Sequence, residues 1–288
     1  MGQIRERLLI SGLSVLPKNA MSRAVGGLAH LRLPAPLSTS SIRSFVRLYG
    51  INTNEAECEL DAYGSIGDFF ARRLKMGSRV VDHRPGHIVS PADGKILNCG
   101  RIENGTIIQA KGRDFSVSDL LGSEKETARF DGGCWVTVYL SPKDYHRVHH
   151  PVEGQIKLAR YLPGRLWPVN QAAVNHVDRL FCVNERLATF VETHMGLVTT
   201  VMVGATSVGH ITVRFDEDLQ TNKNSRGGDY HYPEGPKVAR GDELGTFHLG
   251  STAIVLIESK DVVLDDLEPG RPVRMGDSIG RLAKKKGR

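Results

Sequence analysis

Three residue types that can together activate a hydroxyl group are spread along this chain. Asp93 lies in a Pro-Ala-Asp-Gly turn, His146 and His149 lie three residues apart, and Ser251 comes near the C-terminus. A serine becomes a strong nucleophile when an imidazole takes its proton, and a carboxylate can hold that imidazole in the required tautomer. Because the chain has 11 histidines, this selection of residue types is weak support by itself.

The bond between Gly250 and Ser251 is the most informative place for such chemistry. It follows a polar, glycine-rich stretch and precedes the apolar run 253–257, which is typical of a strand. A serine after glycine at such a junction has the form of an internal serinolysis site, where the hydroxyl attacks the preceding carbonyl group. The sequence therefore leads to the hypothesis that the chain cuts itself between Gly250 and Ser251.

The histidine segment has two other interpretations. His146, His149 and His150 could bind zinc, since imidazole is a common zinc ligand. Their spacing lacks the glutamate of the helical zincin motif, and Pro151 ends the segment, so no metal centre is predicted. Solvated surface histidines are the stronger alternative. In the same way, Asp93 alone could be a turn residue whose carboxylate bonds nearby backbone.

The elements that must position these residues change character along the chain. Up to about residue 75, the amphipathic segments 40–49 and 65–74 predict helices, and the first is expected to end at Gly50. From residue 80 onward, short β-branched runs are separated by turns rich in Gly, Pro, Asn and Asp. The predicted strands include 106–109, 135–140, 197–203, 210–215 and 253–257.

This order predicts an α+β protein in which N-terminal helices precede a mostly antiparallel β-sandwich or barrel-like core. We expect an N-terminal helical region at residues 1–75 and a β-rich catalytic domain at residues 76–288. The regularly alternating helices that a parallel α/β sheet needs are missing from the pattern. The polar stretch 219–236 is predicted to be a long exposed loop ahead of the cleavage site.

Composition narrows the class of partner. The chain has 288 residues, of which 40% are hydrophobic, so it can bury a substantial core. A formal charge of +6 favours anionic partners, but only 6% of residues are aromatic and no basic run alternates with stacking side chains. A nucleic-acid surface is therefore not expected. The four cysteines lie far apart, which favours free thiols in a reducing compartment.

The N-terminal segment has the pattern of a helix that lies on a membrane without crossing it. No run approaches about 20 apolar residues, the length of a spanning helix, and no clear secretory signal is present. Apolar residues recur near helical spacing in the segment 4–16. The apolar pattern extends to Leu28, Leu31 and Leu33. A pair of helices packed on the main domain explains this pattern equally well. The basic tail 284–288 is expected to be solvated or to touch anionic lipid.

The run Leu249-Gly250-Ser251-Thr252 resembles the LGST self-cleavage motif of the phosphatidylserine decarboxylases, a family of pyruvoyl-dependent, membrane-associated enzymes. The similarity extends to the histidine segment 141–149 and to the aspartate turn 91–94. Further similar segments are 108–112, 162–170, 184–186 and 203–206, so the resemblance covers roughly residues 65–282. Several matched segments in one chain are a much stronger signal than the four-residue motif alone.

The resemblance implies roles for the residues found above. Asp93 and His149 would form the relay that deprotonates Ser251 for self-cleavage. Ser251 would then become a covalent pyruvoyl group, so that the cofactor, pyruvate, comes from the chain itself. This group would form a Schiff base with phosphatidylserine, and loss of carbon dioxide would give phosphatidylethanolamine, a carboxy-lyase reaction. His146 would assist decarboxylation or the protonation that follows it.

Cleavage between Gly250 and Ser251 would give a large chain, residues 1–250, and a small chain, residues 251–288. Both would stay in one folded unit, because the run 253–257 is predicted to be a core strand. Weaker candidates for the substrate pocket come from the same matched segments. They are Tyr145, Trp167, Asn170, Phe247, His248 and Leu249.

The resemblance also implies partners and a location. The substrate would be phosphatidylserine, and the chain would be a peripheral membrane protein on the anionic, cytoplasmic face of the cell membrane. Whether it forms a homodimer stays open. Two other classes compete with this interpretation: a Ser-His-Asp hydrolase that never processes itself, and a non-catalytic membrane-binding protein. An uncut chain would favour either competitor, whereas two chains with a blocked small-chain N-terminus would favour self-processing.

Overall fold

The computed structural model describes residues 25–110, 112–206, 210–223, 225–248 and 251–283. Residues 25–29 are helical, and the helices that follow are mostly short. They are α1 Ala35–Tyr49, α2 Ile66–Phe70, α3 Val117–Leu121, α4 Glu124–Phe130, α5 Gln171–His176 and α6 Leu180–Val183, with a 3₁₀ turn at Leu60–Ala62.

Strands are the main regular structure after residue 86. They are β1 His87–Val89, β2 Gly94–Arg101, β3 Thr106–Ala110, β4 Arg113–Ser116, β5 Cys134–Leu140, β6 Arg147–His149, β7 Gly154–Leu162, β8 Arg186–Thr193, β9 Gly196–Val203, β10 Ile211–Val213, β11 Gly228–His231, β12 Lys237–Val238, β13 Glu243–Phe247, β14 Ser251–Ile257, β15 Val262–Leu264, β16 Pro272–Val273 and β17 Ser278–Leu282. The predicted α+β architecture, with helices first and an antiparallel β core after them, is confirmed.

One large antiparallel sheet forms the core of the molecule. Its strand order is β11-β7-β8-β9-β14-β5-β2-β16, with β12 paired beside β7. Smaller sheets have the orders β1-β17-β15, β10-β13-β6 and β3-β4. Neighbouring strands of the large sheet are often distant in sequence, so residues from many parts of the chain meet at its edges.

Strand β14 is the centre of this sheet, and every one of its residues is buried. It pairs with β5 on one side, with Ser251 opposite Leu140, and with β9 on the other, with Thr252 opposite Val203. Ile254 belongs to the hydrophobic cluster on one face and Val255 to the cluster on the other. An apolar run with no polar alternation is what a strand buried on both faces requires. Ser251 is therefore anchored at the first position of the best-packed strand.

The small sheet β10-β13-β6 brings the histidine segment beside the chain that leads to Ser251. Arg147 of β6 lies opposite Thr246 of β13, and His149 lies opposite Glu243. The amide of Phe247 donates to the carbonyl of His146 at 3.0 Å. This pairing joins two segments almost a hundred residues apart.

The two predicted N-terminal helices differ in how well their ends were placed. Helix α1 begins at Ala35, five residues before the predicted start at 40, but it stops before Gly50 as expected. Gly50 has φ 63° and donates its amide to the Val46 carbonyl. Helix α2 is shorter than the predicted 65–74. Ser65 caps its start by accepting from the Asp68 amide, but after Phe70 the chain leaves the helix to pair with residues 55–57. No local pattern in residues 65–74 predicts that pairing.

The stretch 219–236 is not one long exposed loop, and that prediction is wrong. Its residues 228–231 form β11, the edge strand that pairs with β7. Leu219 and Thr221 are buried. An edge strand is paired on one side only, so its polar, glycine-containing sequence looks like a loop. The strand predicted at 210–215 is likewise shorter, since only Ile211–Val213 pair with β13.

The amphipathic segment 4–16 and the basic tail 284–288 lie outside the described residues. Leu28, Leu31 and Leu33 are described, and they are exposed by 71%, 53% and 37%. Among the residues that the structure covers, no helix is both long and apolar enough to cross a membrane.

Candidate active site

Ser251 is completely buried, and its hydroxyl has no hydrogen-bond partner among the residues that the structure describes. A buried hydroxyl without a partner costs about 1–3 kcal/mol, so such an atom in a tightly packed strand calls for an explanation. Its position is fixed by the pairing of β14 with β5. Leu249 and Gly250, which precede it and include the predicted scissile bond, lie outside the described residues.

His146 is held as a neutral imidazole with a free lone pair. Its Nε2 lies 3.0 Å from the Ser141 carbonyl, and its ring stacks on Phe70 with centroids 3.8 Å apart. Because a carbonyl oxygen only accepts, Nε2 carries the proton and Nδ1 carries the lone pair. Nδ1 is buried and has no hydrogen-bond partner in the part of the chain that the structure covers. Burial, with help from the nearby Arg72 charge, lowers the pKa of His146 to about 3.

His149 has the opposite tautomer. Its Nδ1 lies 2.8 Å from the Gly241 carbonyl and must donate to it, which leaves the lone pair on Nε2. Nε2 lies 3.2 Å from the hydroxyl of Tyr145. Burial raises the pKa of Tyr145 to about 12, so this hydroxyl stays protonated and donates. Burial also lowers the pKa of His149, against the opposing effect of the Gly241 carbonyl, so the ring is neutral and its Nε2 lone pair accepts from Tyr145.

Asp93 is buried and clamped by an arginine. Its two oxygens accept from Nε of Arg79 at 2.8 and 3.0 Å, Nη2 of Arg79 makes a further short contact, and Oδ1 accepts from the Met275 amide at 2.9 Å. The next residue, Gly94, lies so close to β5 that a Cβ atom there would be 2.2 Å from the Tyr139 carbonyl oxygen. This close approach fixes the turn that carries the carboxylate.

The direct Asp93–His149 hydrogen bond that a relay needs is absent from the described part of the chain. The oxygens of Asp93 are turned toward Arg79, and the Nδ1 proton of His149 is given to Gly241. The two residues are nevertheless held near each other, because the amide of His149 donates to the Pro91 carbonyl at 2.7 Å. The Asp93 charge raises the pKa of His149 through space, as the smallest of the effects on it. A carboxylate can favour an imidazolium in this way without touching it.

The surface-histidine interpretation is wrong, since His146, His149 and His150 are exposed by only 0%, 8% and 2%. His150 also has an unpartnered Nδ1, and burial lowers its pKa to about 4. In the portion that the structure describes, no group of three His, Cys, Asp or Glu side chains has a metal-binding arrangement.

The weaker pocket candidates are dispersed. Tyr145 contacts His149 as described above, and Phe247 is fully buried in the core. His248 is half-buried and stacks on His210 with ring centroids 4.1 Å apart. Trp167 packs in the main hydrophobic cluster, and Asn170 caps α5 by accepting from the Ala173 amide. Their roles toward a substrate stay predictions, as does that of Leu249, which is not described.

Sequence reasoning missed two arginines at this site. Arg79 bridges Asp93 and Glu55, and neither contact has a local sequence signature. Arg72 is 4% exposed, and its Nη2 donates to the carbonyls of Lys143 and Asp144. Its Nε and Nη1 have no hydrogen-bond partner within the described ranges. A buried cation with unsatisfied donors beside a buried imidazole is the kind of arrangement found at functional sites.

Comparison with known proteins identifies the family. The family model for phosphatidylserine decarboxylase matches residues 66–281, which is most of the chain. The chain belongs to the phosphatidylserine decarboxylase family. The members of this family are carboxy-lyases, and the matched range agrees with the 65–282 expected from the sequence motifs.

Relatives in the phosphatidylserine decarboxylase family are similar over nearly their full length. A protein of Anaeromyxobacter sp. (strain K), named phosphatidylserine decarboxylase proenzyme, is 45% identical over 283 residues, covering 97% of this chain and 100% of the relative. A proenzyme of the same name from Myxococcus xanthus (strain DK1622) is 42% identical, with 93% and 96% covered. One from Brevibacillus brevis is also 42% identical, with 95% and 98% covered.

Proposed function

We propose that this chain is a self-processing phosphatidylserine decarboxylase that cuts itself between Gly250 and Ser251 and converts phosphatidylserine to phosphatidylethanolamine. The observation that carries the proposal is the hydroxyl of Ser251, a buried nucleophile without a partner at the start of the central strand. The family match and the word proenzyme in the relatives' names support it.

Self-cleavage requires no outside reactant except water. The Ser251 oxygen attacks the Gly250 carbonyl, the peptide C–N bond breaks, and the freed amine takes a proton, so the amide becomes an ester. Loss of the α-proton of residue 251 then expels the carboxylate of Gly250 and leaves dehydroalanine. Hydrolysis of its imine tautomer releases ammonia and leaves a pyruvoyl group at the N-terminus of the small chain. The products are residues 1–250 with an ordinary carboxylate and residues 251–288.

His149 is the proposed base for this cleavage. The Gly241 carbonyl fixes its Nδ1 proton, so Nε2 is the nitrogen that takes the serine proton. A base works best when its tautomer is set by a second group, and here the backbone does what a carboxylate does in other sites. Asp93 then stabilises the imidazolium through space, in place of a direct hydrogen bond.

The residues around position 251 fit a pyruvoyl group. The position is enclosed, and the Ser251 hydroxyl makes no hydrogen bond that conversion would break. When present, the pyruvoyl group supplies a ketone that captures the substrate amine and a conjugated carbonyl that accepts the electrons left by carbon dioxide. His146 is proposed to move the proton in this step, since it is neutral and Nδ1 holds an unpartnered lone pair.

The two chains are proposed to remain together after cleavage, and the region before residue 76 to act as a partly separate unit. Strand β14 of the small chain is paired on both sides with strands of the large chain. The N-terminal region has a small core of its own around Ile42, Ile51 and Phe69. It is not independent of the catalytic domain, because Phe70 stacks on His146.

We also propose that the enzyme binds the anionic, cytoplasmic face of the cell membrane as a peripheral protein. Leu28, Leu31 and Leu33 project into solvent, and the formal charge of +6 favours an anionic surface. The double variant Leu28→Asn, Leu31→Asn should sediment less with phosphatidylserine-containing vesicles than the wild type. The matched control is Ile108→Asn, whose side chain is 55% exposed in the β-rich domain. Equal binding of all three proteins would contradict the proposal.

Denaturing mass spectrometry tests the central proposal. The wild-type protein should give two chains that meet between residues 250 and 251, with no free amine on the small one. Ser251→Ala should remain one folded, inactive chain, whereas the control Ser259→Ala, just past the other end of β14, should be cut normally. Recovery of cut Ser251→Ala would overturn the mechanism. An uncut wild-type protein with hydrolase activity would instead favour a Ser-His-Asp hydrolase.

A further inference from the structure

A cavity of about 220 Å³ lies beside β13 and has no role in the chemistry described so far. The side chains that matter here are three arginines, two threonines and one histidine. They are Arg73, Arg147, Arg214, Thr212, Thr246 and His248. Two carboxylates, Glu217 and Glu243, also line the cavity.

The cavity carries an excess of positive charge. Arg147 is neutralised, because its Nη1 lies 2.6 Å from a carboxylate oxygen of Glu243. Arg73 and Arg214 are exposed, and within the described residues neither side chain has an ion pair or a hydrogen bond. Glu217 is the one remaining carboxylate of the lining, so two free guanidinium groups face one free acid. Two guanidinium groups that share a cavity repel each other unless an anion lies between them.

The other polar side chains of the lining are held in place by contacts within the chain. Arg147 is anchored, since its Nε donates to the Ala71 carbonyl at 3.0 Å. The hydroxyl of Thr212 lies 3.1 Å from Nε2 of His248. Thr246 lies opposite Arg147 in the antiparallel register. Guanidinium groups and hydroxyls are the side chains that bind phosphate oxygens best, because their donors match the geometry of the anion.

One residue of the cavity's lining is close in sequence to position 251, where the proposed substrate reacts. His248 is three residues before Ser251, and three residues of extended chain span at most about 10 Å. In phosphatidylserine, only the serine carbons and one ester oxygen separate the reacting amine from the phosphorus.

We propose that this cavity binds the phosphodiester of the phosphatidylserine headgroup, with Arg73 and Arg214 as its ligands and Arg147 and Thr246 as its fixed wall. The assignment rests on the proposed function for the identity of the substrate. The binding of phosphate oxygens by this cavity rests on its own side chains. Inorganic phosphate shares the same chemistry and is therefore both a probe and the alternative occupant.

Steady-state kinetics with a short-chain phosphatidylserine in nonionic micelles test the proposal. Arg73→Gln and Arg214→Gln should each raise KM about tenfold, the usual loss for one charge-assisted hydrogen bond, with kcat changed little. Arg73→Lys and Arg214→Lys should recover part of the loss. Arg226→Gln is the matched control, because Arg226 is exposed and lies outside this cavity. Inorganic phosphate should inhibit the wild type competitively and the double Gln variant much less.

Calorimetric titration with inorganic phosphate and with glycerophosphoserine separates the two sources of phosphate. Both should bind the wild type and the control but not the double variant. Loss of phosphate binding with an unchanged KM would assign the cavity to free phosphate and overturn the headgroup proposal. Unchanged titrations and KM, or a fall in kcat alone, would overturn it too. These titrations need no pyruvoyl group. An uncut, inactive wild type would refute the proposed function, but the binding of glycerophosphoserine would still test whether the cavity binds the headgroup.

Discussion

At the residue scale, the two histidines of the 146–149 segment are held in opposite tautomers. The Ser141 carbonyl takes the Nε2 proton of His146, and the Gly241 carbonyl takes the Nδ1 proton of His149. Burial keeps both rings neutral near pH 7 by lowering their pKa values. Two neutral bases with lone pairs on different nitrogens suit two separate proton transfers, one in self-cleavage and one in turnover.

Replacement of His149 and replacement of His146 should therefore impair different steps. His149→Ala is expected to slow self-cleavage by about 10²–10⁴-fold, the usual contribution of a general base. His146→Ala should be cut but should decarboxylate phosphatidylserine slowly. The extent of cleavage is followed by denaturing mass spectrometry and turnover by release of carbon dioxide. His194→Ala, at a ring 52% exposed, is the control and should do both normally. An uncut His146→Ala would show that the two roles are assigned the wrong way round.

At the scale of elements, the N-terminal region is tied to the catalytic sheet by charge as well as by stacking. Arg79 lies between the N-terminal helices and β1, and its Nη2 binds Glu55 at 2.9 Å while its guanidinium clamps Asp93. The side chains of Arg79 and Asp93 are only 8% and 9% exposed. Removing one partner of such a pair leaves the other charge buried and uncompensated. The same arginine thus joins Glu55 of the N-terminal region to the proposed catalytic carboxylate.

We expect Arg79→Gln to lower the free energy of unfolding by about 3–5 kcal/mol and to slow self-cleavage, because Asp93 loses its fixed orientation. Urea denaturation and the rate of cleavage measure the two effects. Arg84→Gln is the matched control. Arg84 also pairs with an aspartate, Asp82, but its side chain is 68% exposed, so its loss should change stability little. Equal stability of the two variants would contradict the role given to Arg79.

At the scale of the whole molecule, several imidazoles are buried in the neutral form. Burial lowers the pKa of His146 to about 3 and those of His150 and His210 to about 4. In the unfolded chain a histidine titrates near pH 6.5, so between that pH and the lowered value the unfolded state binds more protons. Stability must then fall as the pH drops below about 6.5, and it is fully present above that pH.

The contribution of one such histidine can be measured at His150, which has no assigned catalytic role. In the uncut Ser251→Ala background, the free energy of unfolding falls as the pH drops from 6.5 to 4.5. His150→Gln should make this fall less steep by about 1 kcal/mol per pH unit. Urea unfolding at several pH values gives this slope. His231→Gln, on the exposed edge strand β11, should keep the parent slope. A His150→Gln slope equal to the parent would mean that His150 titrates normally in the folded protein.

The sequence by itself determined the reacting residue types, the α+β order and the strand at 253–257. These features depend on local periodicity, on turn residues such as Gly50, and on motifs that can be recognised without knowledge of the fold. Only the tertiary structure decided which nitrogen of His149 carries the lone pair, because the Gly241 carbonyl that accepts its Nδ1 proton lies 92 residues away. It also decided that Arg79 faces Asp93, and that 228–231 is an edge strand. Hydrogen bonds between segments distant in sequence leave no local pattern, so these facts follow from how the sheets assemble.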